Sequence, residues 1–367
     1  MKFSAERSKL SDAIVNASKA TATNSTIPAL EGILLNLTKG VLTVTGYDLE
    51  MGIKNMIPVV SGEEDGEIVL NAKLLGEMIR KMPAGKPIEI TTEEDTKVSV
   101  KCGDVEFNII GVSGQNYPNI PEISLATSFQ IKENILKSMI RQTIYAASNN
   151  EAKPVLTGAL FEIVDGQLRV VCLDGTRVAR RVNPVDYHDL SFVAPAKTLN
   201  ELLRILSDEE TGKDITITVT NNQLGFYRDD YMIISRLLEG DYLDYNRFIS
   251  FTPTIEAVVN AREMASALDR TLLLTERYKS PVICTFENEV VRIRCNTNLG
   301  SFSEDLKIKY GYSKMEIAFN ARFMMDALRN AECDEVKLQF TTPLAPIKIV
   351  PMDGDDFTFL VLPVKMK

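Results

Sequence analysis

A basic–acidic–basic pattern at helical spacing occurs three times along this chain of 367 residues. The three copies are Lys73, Glu77 and Arg80; Lys197, Glu201 and Arg204; and Arg322, Asp326 and Arg329. Residues at positions i, i+4 and i+7 lie along one face of an α-helix, so each copy predicts a helix with a charged stripe. Lys197 follows Lys73 by 124 positions, and Arg322 follows Lys197 by 125. This period predicts one structural unit used three times.

The apolar runs of the chain repeat at about the same period. Each unit carries two short β-branched runs joined by turn residues, which predicts a β-hairpin. These runs begin at Ile33 and Val41, at Ala159 and Leu168, and at Val282 and Val290. An amphipathic helix precedes the first hairpin, with its apolar face formed by Leu10, Ala13, Ile14 and Ala17.

Two helices and a run of alternating strands in each unit predict an α+β fold, with the helices packed on antiparallel sheet. The repeat divides the chain into three domains of ordinary size, residues 1–120, 121–248 and 249–367. The acidic segment Ser61–Glu67 is predicted to be a surface loop.

The composition of the chain indicates its cellular location and the kinds of partner that its charge can attract. There are 41 basic and 50 acidic residues, a net charge of −9, which argues against nucleic-acid binding by bulk attraction. The basic residues recur on the striped helices, so we expect a mildly basic inner face and an acidic exterior. No run reaches the roughly 20 apolar residues of a membrane helix. Five scattered cysteines and no export signal predict reduced thiols and a cytoplasmic location.

The search for catalytic groups yields little. His188 is the single histidine, and no G-x-S-x-G, G-x-G-x-x-G or P-loop pattern is present. The cysteines lack metal-ligand spacing, and one histidine excludes a histidine-based zinc site. We therefore expect neither catalysis nor a cofactor or metal.

The striped helices have two interpretations. In the first, they are solvated faces stabilised by ion pairs worth roughly 0.3–0.5 kcal/mol each. In the second, they form a surface that attracts phosphates loosely without reading bases. The recurrence of the sign pattern in three copies favours the second. The intervening residues Leu74, Leu75, Met78 and Ile79 in the first copy are expected to pack on the sheet.

Three local segments, together with the repeats, resemble the bacterial sliding clamp, the β subunit of DNA polymerase III. They are Leu173-Asp174-Gly175-Thr176-Arg177, Asp241-Tyr242-Leu243-Asp244-Tyr245 and Leu362-Pro363-Val364-Lys365-Met366. The resemblance covers the whole chain. It implies three clamp domains per chain and two chains in a six-domain ring around duplex DNA, with no catalytic activity. It also implies that the ring confers processivity on the polymerase.

The resemblance implies a pocket between the second and third domains for short apolar peptides. Its partners are expected to be the DNA polymerase III alpha subunit, the clamp loader, and other polymerases and repair proteins. The residues expected to line it are Leu156, Leu173, Gly175, Thr176, Arg177, Val178, Leu243, Arg247, Asn320, Phe323, Leu344, Pro346, Val361, Leu362, Pro363 and Val364. Arg177 and Arg247 are expected to hold peptide carboxylates or carbonyls.

The resemblance also suggests the surfaces for DNA and for a second chain. Sequence-independent contacts with double-stranded DNA are expected at Asn24, Lys73, Arg80, Lys137, Arg141, Lys153, Lys197, Arg204, Arg322 and Arg329. In the homodimer, Phe107 and Ile109 are expected to meet Leu272 and Leu273 of the other subunit.

Two other classes of protein stay open at this stage. A three-domain cytosolic scaffold would bind proteins but not DNA, and its striped helices would face bulk solvent without ring formation. An enzyme ranks third, and a cleft with perturbed carboxylates would favour it.

Overall fold

The computed structural model describes residues 1–93, 96–121, 123, 127–209, 212–275 and 280–365. Met366, in the C-terminal segment above, lies outside the described residues. The chain forms two compact units. The first contains Met1–Glu133 and Asn200–Leu237, and the second contains Asn134–Leu199 and Leu238–Lys367.

The first third of the chain contains two α-helices and ten strands among its described residues. They are β1 (Lys2–Ala5), α1 (Arg7–Ser18), β2 (Gly32–Thr38), β3 (Val41–Tyr47), β4 (Met51–Pro58), β5 (Ser61–Glu64), β6 (Gly66–Asn71), α2 (Ala72–Lys81), β7 (Ile88–Glu93), β8 (Lys97–Cys102), β9 (Val105–Ile110) and β10 (Val112–Ser113). The surface loop predicted for residues 61–67 is wrong, because most of this segment forms β5 and the start of β6.

The middle third has a similar order, with four strands instead of five between its first two helices and three instead of four after the second. It contains β11 (Thr127–Lys132), α3 (Glu133–Ile144), β12 (Gly158–Val164), β13 (Gln167–Leu173), β14 (Arg177–Pro184), β15 (Leu190–Pro195), α4 (Ala196–Ile205), β16 (Asp214–Val219), β17 (Gln223–Arg228), β18 (Tyr231–Arg236) and the short α5 (Asn246–Ile249).

The last third repeats the order of helices and strands that the middle third has from β11 to β18. It contains β19 (Ile255–Asn260), α6 (Ala261–Thr275), β20 (Val282–Glu287), β21 (Val290–Thr297), β22 (Gly300–Lys307), β23 (Met315–Phe319), α7 (Ala321–Arg329), β24 (Glu335–Phe340), β25 (Ile347–Pro351) and β26 (Phe357–Val361). The three striped helices are thus α2, α4 and α7, and each predicted hairpin is present as a pair of antiparallel strands.

The first unit contains two antiparallel sheets. One has the order β5-β1-β7-β8-β9, and the other has the order β10-β6-β2-β3-β4-β18-β17-β16-β11. In the second sheet β4 pairs with β18, with Ile53 opposite Ile233, so the sheet continues across the predicted boundary at residue 120.

Helices α1 and α2 pack together in the core of the first unit. Leu10, Ile14, Leu75 and Ile79 are completely buried there with residues of the surrounding strands. The four predicted apolar residues of α1 are all buried. At Gly46 a β-carbon would lie 1.9 Å from the carbonyl oxygen of Ala17, so this close approach of α1 to β3 requires glycine.

The second unit also contains two antiparallel sheets. Their orders are β15-β12-β13-β14-β26-β25-β24-β19 and β22-β21-β20-β23. In the first of these β14 pairs with β26, with Arg177 opposite Val361. This pairing brings the Leu173–Arg177 turn beside the C-terminal segment, although the two are far apart in sequence.

The helix α2 begins with an asparagine N-cap. The Asn71 side chain accepts a hydrogen bond from the Leu74 backbone N–H at 2.9 Å. We expect Asn71→Ala to lower the free energy of unfolding by about 1 kcal/mol, because it leaves this N–H without its partner. Urea unfolding measures the change, with Asn119→Ala at an exposed loop position as the control. Equal losses in the two variants would contradict the cap.

Candidate functional sites

The charged stripes have exposed basic residues and half-buried acidic ones. On α2, Lys73 and Arg80 are exposed, whereas Glu77 is half-buried. The same holds on α4 and α7, where the exposed residues are Lys197, Arg204, Arg322 and Arg329 and the half-buried ones are Glu201 and Asp326. The helices therefore present more positive than negative charge to solvent, as the second interpretation of the stripes requires.

The acidic members of two stripes have identified partners. Glu201 accepts a hydrogen bond from Arg204 at 2.9 Å, one turn later on the same helix. Asp326 instead accepts from Arg177 at 2.8 Å, outside its own helix. Arg329 lies 3.1 Å from Asp269 of α6. The side chains of Arg204 and Arg329 are 58% and 50% exposed, so their two ion pairs are weak and leave these cations accessible to phosphates.

The packing of the stripe residues differs from expectation at one position. Leu75, Met78 and Ile79 are buried as predicted, but Leu74 is 46% exposed. Leu74 follows Lys73 directly and lies toward the charged face, so helical geometry turns it away from the sheet.

The other predicted DNA-facing residues lie on loops and on α3. Asn24 and Lys153 are exposed in loops, and Lys137 is half-buried on α3. Arg141, also on α3, is exposed and donates a hydrogen bond to Glu332. Part of its charge is therefore balanced within the protein.

An apolar cluster in the second unit contains several of the predicted peptide-site residues. Its buried members are Leu156, Leu160, Val171, Leu173, Val178, Val193, Tyr245, Ile249 and Leu360, and the half-buried Val155, Leu238, Tyr242, Phe251 and Leu362 pack against them. Leu156, Leu173 and Val178 are at most 5% exposed, so they form the base of a site rather than its surface.

The turn between β13 and β14 is held by one carboxylate. Asp174 Oδ1 accepts hydrogen bonds from the Thr176 backbone N–H at 2.8 Å and from its hydroxyl at 2.6 Å. Gly175 has φ +89°, in the left-handed region that favours glycine. Gly175 and Thr176 are exposed in this turn, which joins strands whose residues Leu173 and Val178 belong to the apolar cluster.

Backbone hydrogen bonds hold the C-terminal segment beside this turn. The Leu362 N–H donates to the carbonyl of Thr176 at 2.9 Å, and the Val364 N–H donates to the carbonyl of Ala318 at 2.7 Å. Val361 is buried, Pro363 is half-buried and Val364 is 39% exposed. The second bond brings the segment close to the start of α7, whose N-cap is the side chain of Asn320.

Leu243, Leu344 and Pro346 are connected to the apolar cluster only through sequence neighbours and strand pairing. Leu243 is 40% exposed and follows Tyr242, whose hydroxyl donates to the carbonyl of Val171 at 3.2 Å. Leu344 is 70% exposed, and the half-buried Pro346 precedes β25, which pairs with β26. Together with Gly175, Thr176 and Val364, these residues define the candidate peptide groove.

The Arg177 side chain already has several partners within the protein. Its guanidinium donates to Asp174 at 3.0 Å and to Asp326 at 2.8 Å, and it lies 4.5 Å from the ring centre of Phe323 and 5.5 Å from that of Tyr145. It therefore links β14 to α7. By contrast, the Arg247 side chain is 82% exposed and pairs only one turn away, with Asp244 at 2.9 Å.

Sequence reasoning missed three of the supporting residues. Tyr145 lies under Arg177, and burial raises its pKa well above the usual value, so it stays neutral. The sequence identified Asp326 only as a stripe residue and Tyr242 only as a neighbour of Leu243, without predicting their contacts with Arg177 and Val171. No local signal connects Tyr145 with Arg177, because the contact depends on tertiary packing.

The predicted dimer residues lie on or near two sheet edges. Strand β9 ends its sheet in the described structure, and Phe107 is exposed on it while Ile109 is half-buried. Ile110, which was not predicted, is 81% exposed. In the second unit β22 ends its sheet, and Arg270 of α6 donates to Glu304 of β22 at 2.8 Å. Near the end of α6, Leu272 is half-buried and Leu273 is 82% exposed.

The described ranges contain neither a membrane-spanning helix nor a cluster of metal ligands. No helix there has both the length and the apolar character needed to cross a membrane. No group of three or more His, Cys, Asp or Glu side chains there is arranged to hold a metal ion.

The three repeats match three family models in order. These describe the N-terminal domain of the DNA polymerase III beta subunit at residues 1–121, the central domain at 130–244 and the C-terminal domain at 249–365. The fold and the matches together define the class as a three-domain DNA clamp. The chain belongs to the DNA polymerase III beta subunit family. The predicted resemblance and the α+β clamp fold are confirmed, while the domain boundaries stay a prediction.

Curated relatives and solved structures agree over the full length of the chain. The beta sliding clamps of Bacillus subtilis and Halalkalibacterium halodurans are 31% and 33% identical to it, each covering 100% of both chains. The structure of a putative DNA polymerase III beta subunit from Eubacterium rectale is 34% identical, with a TM-score of 0.91. The sliding clamp structure from Bacillus subtilis is 30% identical, also with a TM-score of 0.91. Both structures cover 100% of this chain and are themselves covered completely.

Proposed function

We propose that this protein is a DNA sliding clamp, in which two copies close into a ring around duplex DNA and tether DNA polymerase III to its template. The observation that carries this function is the threefold recurrence of helices whose charged stripes expose basic residues and half-bury the acidic one, in a chain of this family. The protein acts in the cytoplasm, where replication occurs, and confers processivity without catalysing a reaction.

Ring closure is supported by the two sheet edges. Strand edges expose unpaired backbone N–H and C=O groups, which pair readily with another chain. The edge strand β9 carries the exposed Phe107 and Ile110, and Leu273 near the edge strand β22 is also exposed. We propose that these surfaces meet head to tail, with Phe107 and Ile109 of one copy against Leu272 and Leu273 of the other. Two equivalent contacts then close a ring.

The candidate peptide groove supports binding of short apolar segments from partner proteins. Its base is the buried apolar cluster, and its exposed residues include Leu243, Leu344 and Val364. We propose that it binds peptides of the DNA polymerase III alpha subunit, the clamp loader and other polymerases and repair proteins. Arg247 is the more available anchor for a peptide carboxylate, because Arg177 already binds Asp174 and Asp326.

The helix stripes support DNA contact that is weak and independent of sequence. Exposed arginines and lysines attract phosphates, and the excess of acidic residues over the whole chain keeps this attraction local. A ring that holds DNA by topology needs only such contacts, and loose contacts allow sliding.

The salt dependence of DNA binding tests the stripes. We expect the triple variant Arg80→Ala, Arg204→Ala and Arg329→Ala to lower the slope of log affinity against log salt concentration by up to about 3, since each phosphate contact contributes about 0.9. Fluorescence anisotropy with a short duplex measures the slope. The matched control replaces Lys39, Lys213 and Lys314, which are exposed outside the stripes. Equal slopes for the two triple variants would argue against the stripes as the DNA surface.

The experiment that tests the proposed function compares circular and linear DNA. The protein is loaded onto a nicked circle with a clamp loader and ATP, and its retention is followed by gel filtration before and after the DNA is cut. A dimer by sedimentation that stays on the circle and leaves the linear form is the expected result. A monomer, or retention that is indifferent to DNA ends, would overturn the ring and favour a protein-binding scaffold.

A further inference from the structure

A basic extension of the apolar cluster lies on the same face of its sheet. Val178 is directly opposite Leu360 in the pair β14–β26, and Leu360 is directly opposite Lys348 in the pair β26–β25. Residues opposite each other share a face, so Lys348 lies beside these two residues of the cluster. Arg180 follows Val178 by two positions and therefore also shares this face, opposite Thr358. Two cations thus border the apolar cluster.

The Lys348 side chain is held in place at the cluster. Its ammonium lies 4.3 Å from the ring centre of Phe251 and donates to the Phe251 carbonyl at 3.2 Å. Phe251 packs against the apolar cluster, and Lys348 is half-buried. Because the lysine is already ordered, binding an anion costs it little further conformational freedom.

The charge of Lys348 is not balanced by an ion pair. Arg180 donates to Asp355 at 2.7 Å, whereas Lys348 forms no ion pair with any residue that the structure describes. Burial, and then the charge of Arg180, lower the pKa of Lys348, and the charge of Asp355 only partly opposes them. A carboxylate placed beside the ammonium would offset both effects.

The neighbouring strand β24 does not supply this carboxylate. Gln339 is directly opposite Lys348 and donates to Glu256 at 3.0 Å. Lys337, two residues before Gln339, lies on the same face and likewise forms no ion pair within the described ranges. The region around Lys348 therefore carries excess positive charge, in a chain whose net charge is −9.

The face that carries Lys348 is separate from the stripe helix α7. Arg177 directly precedes Val178, so its side chain points to the opposite face of the sheet, where it donates to Asp326 of α7 at 2.8 Å. The excess positive charge at Lys348 thus does not belong to the stripes proposed to contact DNA. It borders apolar side chains such as Leu360, and these surroundings suit a peptide with both apolar and acidic residues.

We propose that Lys348 determines specificity in the candidate peptide groove by binding the carboxylate of an aspartate or glutamate next to the apolar residues of the peptide. This inference rests on the proposed peptide-binding function and adds the chemistry of the peptide to it. The apolar residues pack on the cluster, and the acidic residue pairs with the ammonium beside Leu360. The nearby carboxylate of Asp355 limits the available positive charge, which favours a singly charged carboxylate over a doubly charged phosphate.

Fluorescence anisotropy with paired synthetic peptides tests the proposal. Each peptide carries the apolar segment of the DNA polymerase III alpha subunit peptide, extended at one end or the other by aspartate or by asparagine. At one of the two ends we expect the aspartate peptide to bind about tenfold more tightly, the effect of one hydrogen bond to a charged group. Lys348→Gln should abolish this difference and leave the affinity for the asparagine peptide unchanged.

Two further variants separate charge recognition from a structural role. Lys348→Glu should reverse the preference, so that a peptide with lysine at the same end binds more tightly than the aspartate peptide. Lys314→Gln, at an exposed lysine of the same unit that pairs with Glu287, is the matched control and should keep the aspartate preference. Thermal melting checks that each variant is folded.

Three results would overturn this inference while leaving the peptide-binding function intact. The first is equal affinity for the aspartate and asparagine peptides at both ends. The second is an aspartate preference that persists in Lys348→Gln. The third is a loss of DNA affinity in Lys348→Gln with peptide binding unchanged, which would assign the lysine to nucleic acid. If the unchanged protein bound none of the peptides, the proposed groove would be contradicted and this inference with it.

Discussion

Replacing Leu273 by aspartate is expected to convert the proposed dimer into monomers, with the dissociation constant raised about 100-fold or more. Leu273 is 82% exposed on α6, so the substitution removes almost no packing from the folded chain. In the proposed ring the same side chain is buried against Phe107 and Ile109 of the second copy. An aspartate there loses its hydration without gaining a partner, which strongly disfavours association.

Sedimentation velocity over a range of concentrations measures this shift. Val60→Asp is the matched control, because Val60 is 69% exposed and immediately precedes β5, which forms the sheet edge opposite β9. It introduces the same charge on an exposed apolar site outside the proposed interface and should leave the dimer intact. Far-ultraviolet circular dichroism confirms that both variants are folded. A Leu273→Asp protein that remains dimeric at the concentrations of the unchanged protein would exclude this interface.

The parts of the fold that were predictable are those with local periodicity. The stripe of α2 is visible in Lys73, Glu77 and Arg80, and its half-buried and exposed positions follow from helical geometry. The hairpins follow from apolar runs close together in sequence. Repetition made these signals stronger, since each was seen three times.

Pairing between distant strands was not predictable. The contacts β4–β18 and β14–β26 join strands separated by roughly half of the chain, and nothing local specifies their register. The acidic segment 61–67 was mistaken for a loop for a related reason. Its strand β5 pairs with β1, where Lys2 neutralises Glu63 at 2.6 Å. An edge strand tolerates charged residues that resemble those of a loop.

The residue list of the candidate peptide groove stays a prediction, but the structure changes its expected electrostatics. The resemblance suggested both Arg177 and Arg247 as peptide anchors. The structure gives Arg177 two carboxylates and two aromatic rings, because Asp326 turns from its stripe toward β14. A sequence cannot show which of several nearby acids a guanidinium selects, since that choice depends on the packing of α7 beside β14.

Replacing Val364 by aspartate is expected to weaken peptide binding about 30-fold, the loss typical of a hot-spot residue. Val364 is held by its N–H bond to the carbonyl of Ala318, and its side chain is 39% exposed at the candidate groove. A carboxylate at this position would lie against the apolar side chains of the incoming peptide and would remain without a partner. The backbone bond is retained, so the fold should be unaffected. Fluorescence anisotropy with a labelled peptide from the DNA polymerase III alpha subunit measures the affinity.

The control for this prediction is Leu299→Asp, at a 57% exposed leucine between β21 and β22 of the same unit. Both variants add one negative charge to the second unit, so a general electrostatic effect on the peptide would appear in both. A loss confined to Val364→Asp assigns the effect to the groove. Equal losses, or unchanged binding in both, would separate the peptide site from the C-terminal segment. The dimer test gives an independent readout, because Val364→Asp should sediment as the unchanged protein while Leu273→Asp should still bind the peptide.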